Sequence, residues 1–262
     1  MAVERCRAGS HWTACGGEVL ANLERGPATL GPMRRLFAVP ACAVYAENDG
    51  ASLEAALYVA NLLFMTGHGR LPLLLESEVL NSEGALSPPE VCQSLLVLGT
   101  PVSSRAAAAL LRPQPALAYE PPVQVDESGS GLVLGGCHWA GPGLAALALL
   151  PWWPPAGASA TKRSPQRLAL LAIGSSPQAA TEAVALLATP TIPPMTRQPF
   201  THLLPDYVVL DVAQTRARGA GGFLAAGFWG HRWQHEPRAA WERSCHSAAL
   251  AEEGGLRTRD EL

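Results

Sequence analysis

The sequence predicts an α/β fold: a mostly parallel sheet with flanking helices, repeated βα units and an antiparallel β-hairpin region near residues 116–150. Three observations lead there. Short apolar runs of strand length, such as "AVPACAVY", "SLLVLG" and "LALLAIG", are bounded by turn residues. Helical patterns follow them, and alternation of strand and helix is the mark of a parallel sheet covered on both faces. One unit also recurs: "QSLLVLGTPVSSRAAAALL" and "RLALLAIGSSPQAATEAVALLA" share a buried strand, a glycine, small polar residues and an alanine-rich helix.

Taken in order, residues 1–30 are rich in Gly, Cys and charge and read as an irregular lead-in. Residues 36–45 suit a buried strand. In "DGASLEAALYVANLLFMTG", Leu53, Ala56, Leu57, Ala60 and Leu63 recur at helical spacing. Asp49 or Ser52 is placed to cap the start and Gly67 to end it. Residues 70–80 read as a short strand or extended entry, residues 93–101 as a second buried strand and residues 102–111 as a helix with a serine cap. Residues 116–150 carry short apolar runs split by Gly, Ser and Pro, with "DESGSG" as a hairpin tip. Residues 154–166 form a proline-rich surface loop. The repeated unit follows, then a strand at residues 207–210 and the segment "GAGGFLAAGFWGHRW". One domain is expected over residues 31–233, with a polar tail at 234–262.

Composition narrows the function. Hydrophobic residues make up 48% and charged residues 16% of the chain, enough apolar mass for a core. The net charge of -3 carries no basic footprint for nucleic acid. No apolar run approaches the roughly 20 residues that span a bilayer, and the first residues lack the apolar stretch of a signal peptide. The six cysteines are widely spaced with no CxxC. Cys42 and Cys92 lie in strand-like runs and read as buried thiols, whereas Cys6 and Cys15 are close enough for a local bridge.

Four sets of residues are candidates for chemistry. Gly99 and Gly174 stand at strand ends that open helices, where α/β folds bind ligands, although neither stretch has GxGxxG or GxxxxGK[ST]. The competing reading is a tight strand-to-helix turn. Ser175 and Ser176 are the nearest approach to a nucleophile elbow, but the second glycine of GxSxG is missing. In "HRWQH", His231 and His235 would share a face if helical and hold zinc with Cys245 or His246; otherwise they are surface or packing residues. Trp229, in the glycine- and aromatic-rich segment, either closes over a ligand or seals the sheet edge. No cofactor is expected. Finally, Arg259, Asp260, Glu261 and Leu262 form a KDEL-like tail, the address read by a retrieval receptor of the endoplasmic reticulum.

Several segments occur in an order that resembles a known family: "LERGPATLGPMRRLFAVPACAVYAE", "YVANLLF", "SLLVLGTP", "LALLAIGSSPQAATEAVALLA", "IPPMTRQPF", "LPDYVVL" and "GAGGFLAAGFWGHRW". Together they look like the region that follows the catalytic domain in large secreted serine hydrolases similar to prolyl-oligopeptidase-type peptidases. The resemblance spans about residues 20–233. It implies a hydrolase domain and nucleophile upstream, so no catalytic residue carries over. It departs from the family at "VYA", where "VYG" is usual. The expectation is a non-catalytic C-terminal accessory domain of a lumenal or secreted serine-hydrolase-like protein, a fragment of a longer chain, with a catalytic hydrolase domain as partner. The alternative is an independent small hydrolase or ligand-binding protein using Gly99 and Gly174. The RDEL tail places the protein in the endoplasmic reticulum lumen; if it is a coincidence, the protein is cytoplasmic.

Overall fold

The computed structural model describes residues 5–8, 11–14, 23–26, 29–30, 33–67, 69–126, 128–153, 166–188, 205–243 and 246–247. Two short strands, β1 (Arg5–Ala8) and β2 (His11–Ala14), form an antiparallel pair within the stretch expected to be irregular. A 3₁₀ turn at Met33–Ala38 leads into the main sheet and buries Met33 and Leu36.

The first half of that sheet keeps the expected alternation, but the strand expected over residues 36–45 is confined to 41–45 and the segment 70–80 turns helical at 76–79. β3 (Ala41–Tyr45) is followed by α1 (Gly50–Gly67) and β4 (Leu73–Leu75). A one-turn helix, α2 (Glu76–Val79), leads on towards β5 (Ser94–Leu98) and α3 (Arg105–Leu110). Further along, β10 (Arg167–Gly174) and α4 (Pro177–Ala188) repeat the unit. β4, β3, β5 and β10 lie side by side and parallel. β5 is wholly buried and β10 almost so, which explains why both read as continuous apolar runs rather than alternating ones. α1 and α4 pack together over this half, joined where the Thr181 hydroxyl donates to the Ala51 carbonyl at 2.8 Å.

The second half corrects the mostly parallel expectation. The excursion region holds β6 (Val123–Val125), β7 (Gly131–Leu134), β8 (Cys137–Ala140) and β9 (Leu144–Trp152). β9 is buried along its whole length and pairs antiparallel with β10 and with β11 (Tyr207–Asp211). β12 (Phe223–Trp229) and β13 (His235–Glu242) add two more antiparallel neighbours. The order is thus β13-β12-β11-β9-β10-β5-β3-β4, a mixed sheet of eight strands with three parallel and four antiparallel pairings. Topology supplies the reason: a parallel neighbour needs a crossover of a dozen or more residues, whereas the turn between β12 and β13 is short enough only for a reversal. A smaller antiparallel sheet combines β6, β7 and β8 with β14 (His246–Ser247). The tip between β6 and β7 is tied by Asp126, whose carboxylate accepts from the Ser128 hydroxyl and the Ser130 amide.

Two boundaries also move. The sheet runs past Trp233 into β13, so position 234 lies inside the domain. Upstream, Arg25 is buried against Asp206, just before β11, with Nη1 at 2.6 Å and Nη2 at 3.2 Å from its two oxygens. The Arg25 guanidinium also stacks 4.4 Å from the centre of the Trp233 ring and donates to the carbonyls of Thr29 and Trp229. Asp206 accepts in turn from the Trp229 amide.

The cysteines provide another correction. Cys42, in β3, and Cys92, ahead of β5, form a disulfide rather than a pair of thiols. Both side chains are as buried as the small apolar residues around them. Sequence position does not reveal that β3 and the approach to β5 are neighbours, with Cα atoms 5.4 Å apart. Cys137 is disulfide-bonded as well. Cys15 and Cys245 lie outside the described residues, so the Cys6–Cys15 bridge does too.

Candidate functional site

The strand order marks one place on the sheet. From β3 the chain passes through α1 to β4 on one side, then returns to β5 on the other. Such a reversal leaves a crevice beyond the carboxyl ends of the two strands, the usual ligand position in open α/β sheets. Here it is bounded by the segments following β3 and β5.

Asp49 lies in the segment that follows β3 and caps α1. Its Oδ1 accepts from the amides of Ala51 and Ser52 at 3.1 and 3.2 Å. Of the two caps the sequence offered, Asp49 therefore takes the role, with its negative charge on the positive end of an 18-residue helix. Ser52 braces the turn instead: its hydroxyl donates to the Asp49 carbonyl and accepts from the Ala46 amide. Asp49 is only 8% exposed, and its second oxygen, Oδ2, is buried with no hydrogen-bond partner among the described residues. A buried carboxylate oxygen without a donor costs about 1–3 kcal/mol or more, so this atom is the unexplained feature of the crevice.

Gly99 faces that oxygen. Its φ of +120° lies where side chains are strained, and a Cβ built on it would sit 3.0 Å from the Ser104 Cβ, 3.5 Å from Ser103 Oγ and 3.8 Å from Asp49 Oδ2. Beyond it the turn is held by hydroxyls. Thr100 and Ser103 bond each other through side chains at 2.9 Å, and Ser104 caps α3 by accepting from the Ala107 amide. At the same edge, buried Glu76 accepts from the Arg105 amide at 2.7 Å and its Nε at 3.0 Å. Glu47 lies 3.8 Å from the Arg105 guanidinium. The edge thus carries three carboxylates and one arginine, and that arginine is already engaged.

The other strand end is packed rather than open. A Cβ on Gly174 would lie 2.6 Å from the Ala180 amide nitrogen and 2.9 Å from the Ala179 Cβ. Gly174 therefore lets α4 close onto β10. Replacement by alanine has to push a helix backbone aside, so Gly174→Ala is expected to lose about 1–3 kcal/mol in a denaturant titration. Ser175 and Ser176 serve the same junction. The Ser175 hydroxyl accepts from the Gly143 amide at 3.1 Å, and the Ser176 hydroxyl accepts from the Ala179 amide at 3.1 Å as a helix cap. Among the described residues no histidine or carboxylate bonds either hydroxyl.

The aromatic and histidine candidates separate in the same way. Trp229 is buried, stacked on Tyr207 at 4.2 Å, and donates from its indole to the Leu149 carbonyl at 2.6 Å; it seals the sheet. The "HRWQH" segment is a β-turn between β12 and β13, not a helix, so His231 and His235 do not share a helical face. His231 is exposed and sits 3.6 Å from Glu24. His235 packs inward, with Nε2 at 2.8 Å from Glu242 Oε1. Among the described residues no three His, Cys, Asp or Glu side chains are grouped to hold a metal. The tail residues Arg259, Asp260, Glu261 and Leu262 lie outside the described residues.

Asp49 was visible in the sequence only as a helix cap; its unpaired oxygen depends on how Gly99 approaches from another strand. No protein-family model matches this chain, and no curated protein or solved structure matches it.

Proposed function

We propose that this chain is a non-catalytic α/β accessory domain that binds a small ligand through an ammonium group in the crevice between β3 and β5. The observation that carries this reading is Asp49 Oδ2, a buried carboxylate oxygen at the strand-order reversal with no donor. Glu47 and Glu76 add negative charge at the same edge and Arg105 is committed to both, so a cationic donor suits the crevice better than an anion. The structural engagement of Ser175 and Ser176 supports a role other than serine catalysis.

The setting is a lumenal or secreted hydrolase-like protein. The ordered segments resembling prolyl-oligopeptidase-type proteins support a catalytic partner domain. Buried disulfides, which persist in oxidising compartments, support the lumen, as does the RDEL tail with its retrieval receptor.

Calorimetric titration with ethanolamine hydrochloride tests the binding. Saturable uptake by the unaltered chain is expected, with sodium acetate giving none. Asp49→Asn removes the charge while keeping the Oδ1 cap, and loss of a charge-assisted hydrogen bond should weaken binding by about tenfold or more. Equal affinity in Asp49→Asn would overturn the proposal. A fluorophosphonate probe is expected to leave the purified chain unlabelled, and labelling abolished by Ser175→Ala or Ser176→Ala would contradict the non-catalytic reading.

A further inference from the structure

A second polar cluster lies far along the sheet from the crevice, where side chains of β13 reach Tyr207 of β11, across β12, and Cys137 of the small sheet. Its geometry begins with a bulge. Gly227 and Trp229, two positions apart on β12, pair with Ala240 and His235, which are five apart on β13. Three extra residues are therefore looped out of β13. A straight strand would hold His235 and Glu242 about 23 Å apart, but the bulge brings His235 Nε2 to 2.8 Å from Glu242 Oε1. Bulges of this kind re-aim side chains and recur beside functional sites.

The atoms brought together are short of partners. Among the described residues the buried Tyr207 hydroxyl has no hydrogen-bond partner, and the buried His235 Nε2 and Glu242 Oε1 meet only each other, as an ion-pair contact that makes no hydrogen bond. The other oxygen of Glu242 lies 3.3 Å from Cys137 Sγ, which is held in a disulfide and has no proton to donate. Tyr207 and His235 have ring centres 6.2 Å apart. Glycines make the space: a Cβ on Gly135 would fall 2.5 Å from the His235 ring, and one on Gly227 would fall 2.5 Å from the Tyr207 hydroxyl.

We infer that His235 Nε2 and Glu242 Oε1 form a binding site for one divalent transition-metal ion, with Tyr207 holding a water that completes its shell. Imidazole and carboxylate ligate zinc at about 2.0–2.2 Å, so two ligands at a tetrahedral angle stand about 3.4 Å apart. The pair has to open by only about half an ångström from its present separation to admit the ion. With two protein ligands, binding is weaker than in a closed structural site, and the partly exposed side chains of His235 and Glu242, at 14% and 24%, leave a path of entry. This inference does not depend on the crevice at Asp49.

Titration of the oxidised, full chain with cobalt chloride, followed by its visible absorption, tests the site. One equivalent of Co²⁺ is expected, displaced by Zn²⁺. His235→Gln and Glu242→Gln should each weaken binding by about tenfold or more, while His231→Gln, altering the exposed histidine of the same turn, should leave it unchanged. Affinity unaltered by His235→Gln or Glu242→Gln would overturn the inference, as would loss of binding in His231→Gln alone. Should either glutamine variant fail to fold by circular dichroism, the unaltered chain decides. Zn²⁺ should then protect His235 from diethyl pyrocarbonate, and modification indifferent to Zn²⁺ would contradict the site.

Discussion

Asp206→Ala should destabilise the domain by about 3–5 kcal/mol, because it strands the Arg25 guanidinium in the interior. The Arg25 and Asp206 side chains are 4% and 1% exposed, and the carboxylate meets the guanidinium through both oxygens. Asp206 also receives the Trp229 amide, so its loss removes the anchor of the β12 end as well. The pair itself is not expected to be worth that amount, since desolvating two charges offsets most of their attraction. Replacing both partners by apolar residues of similar volume, Arg25→Met with Asp206→Leu, should therefore restore most of the stability lost in Asp206→Ala. Urea titrations of the single and double variants check this. A cost below about 1 kcal/mol for Asp206→Ala would mean that residues 23–30 are not docked as described.

The Cys42–Cys92 bond should contribute a comparable amount. It closes a loop spanning 50 residues that contains β3, α1, β4 and α2. On the chain-entropy account, a loop of that length is worth about 4 kcal/mol through restriction of the unfolded chain. Cys42→Ala with Cys92→Ala is expected to lower the denaturant midpoint accordingly, with the native spectrum retained at low denaturant. The two alanines leave little void, since both positions already hold small side chains among buried neighbours. A double variant as stable as the parent would remove the argument that an oxidising compartment supports this fold.

Local pattern carried the parallel half of the sheet. "SLLVLG" and "LALLAIG" are apolar throughout because helices cover them, and Ser104 and Ser176 stand one helix turn before the amides they cap. The antiparallel half was only partly legible. β9 falls in an apolar run that suits a buried strand or a helix equally, and nothing local says that it separates β10 from β11. β13 was read as tail because an edge strand needs no apolar face, and "HEPRAAWE" shows none. Contacts across long sequence distances left no mark at all: Arg25 and Asp206 are 181 residues apart, and the cysteines of the disulfide look like small hydrophobes until the sheet brings them together. The site residues follow the same rule. Gly99 and Gly174 both stand at strand ends, but what approaches each one differs: the Ser103 and Ser104 side chains, with the Asp49 carboxylate behind them, at Gly99, and a helix backbone at Gly174.

The account turns on the Asp49 crevice, and amide shifts of ¹⁵N-labelled chain during an ethanolamine titration test it where it sits. The amides of Ala51 and Ser52 bond the other oxygen of the same carboxylate, and Gly99 lies against the open one. Saturable shifts centred on these three amides, absent in Asp49→Asn, are the predicted result. Shifts that fall elsewhere on the chain, or that persist unchanged in Asp49→Asn, would contradict it.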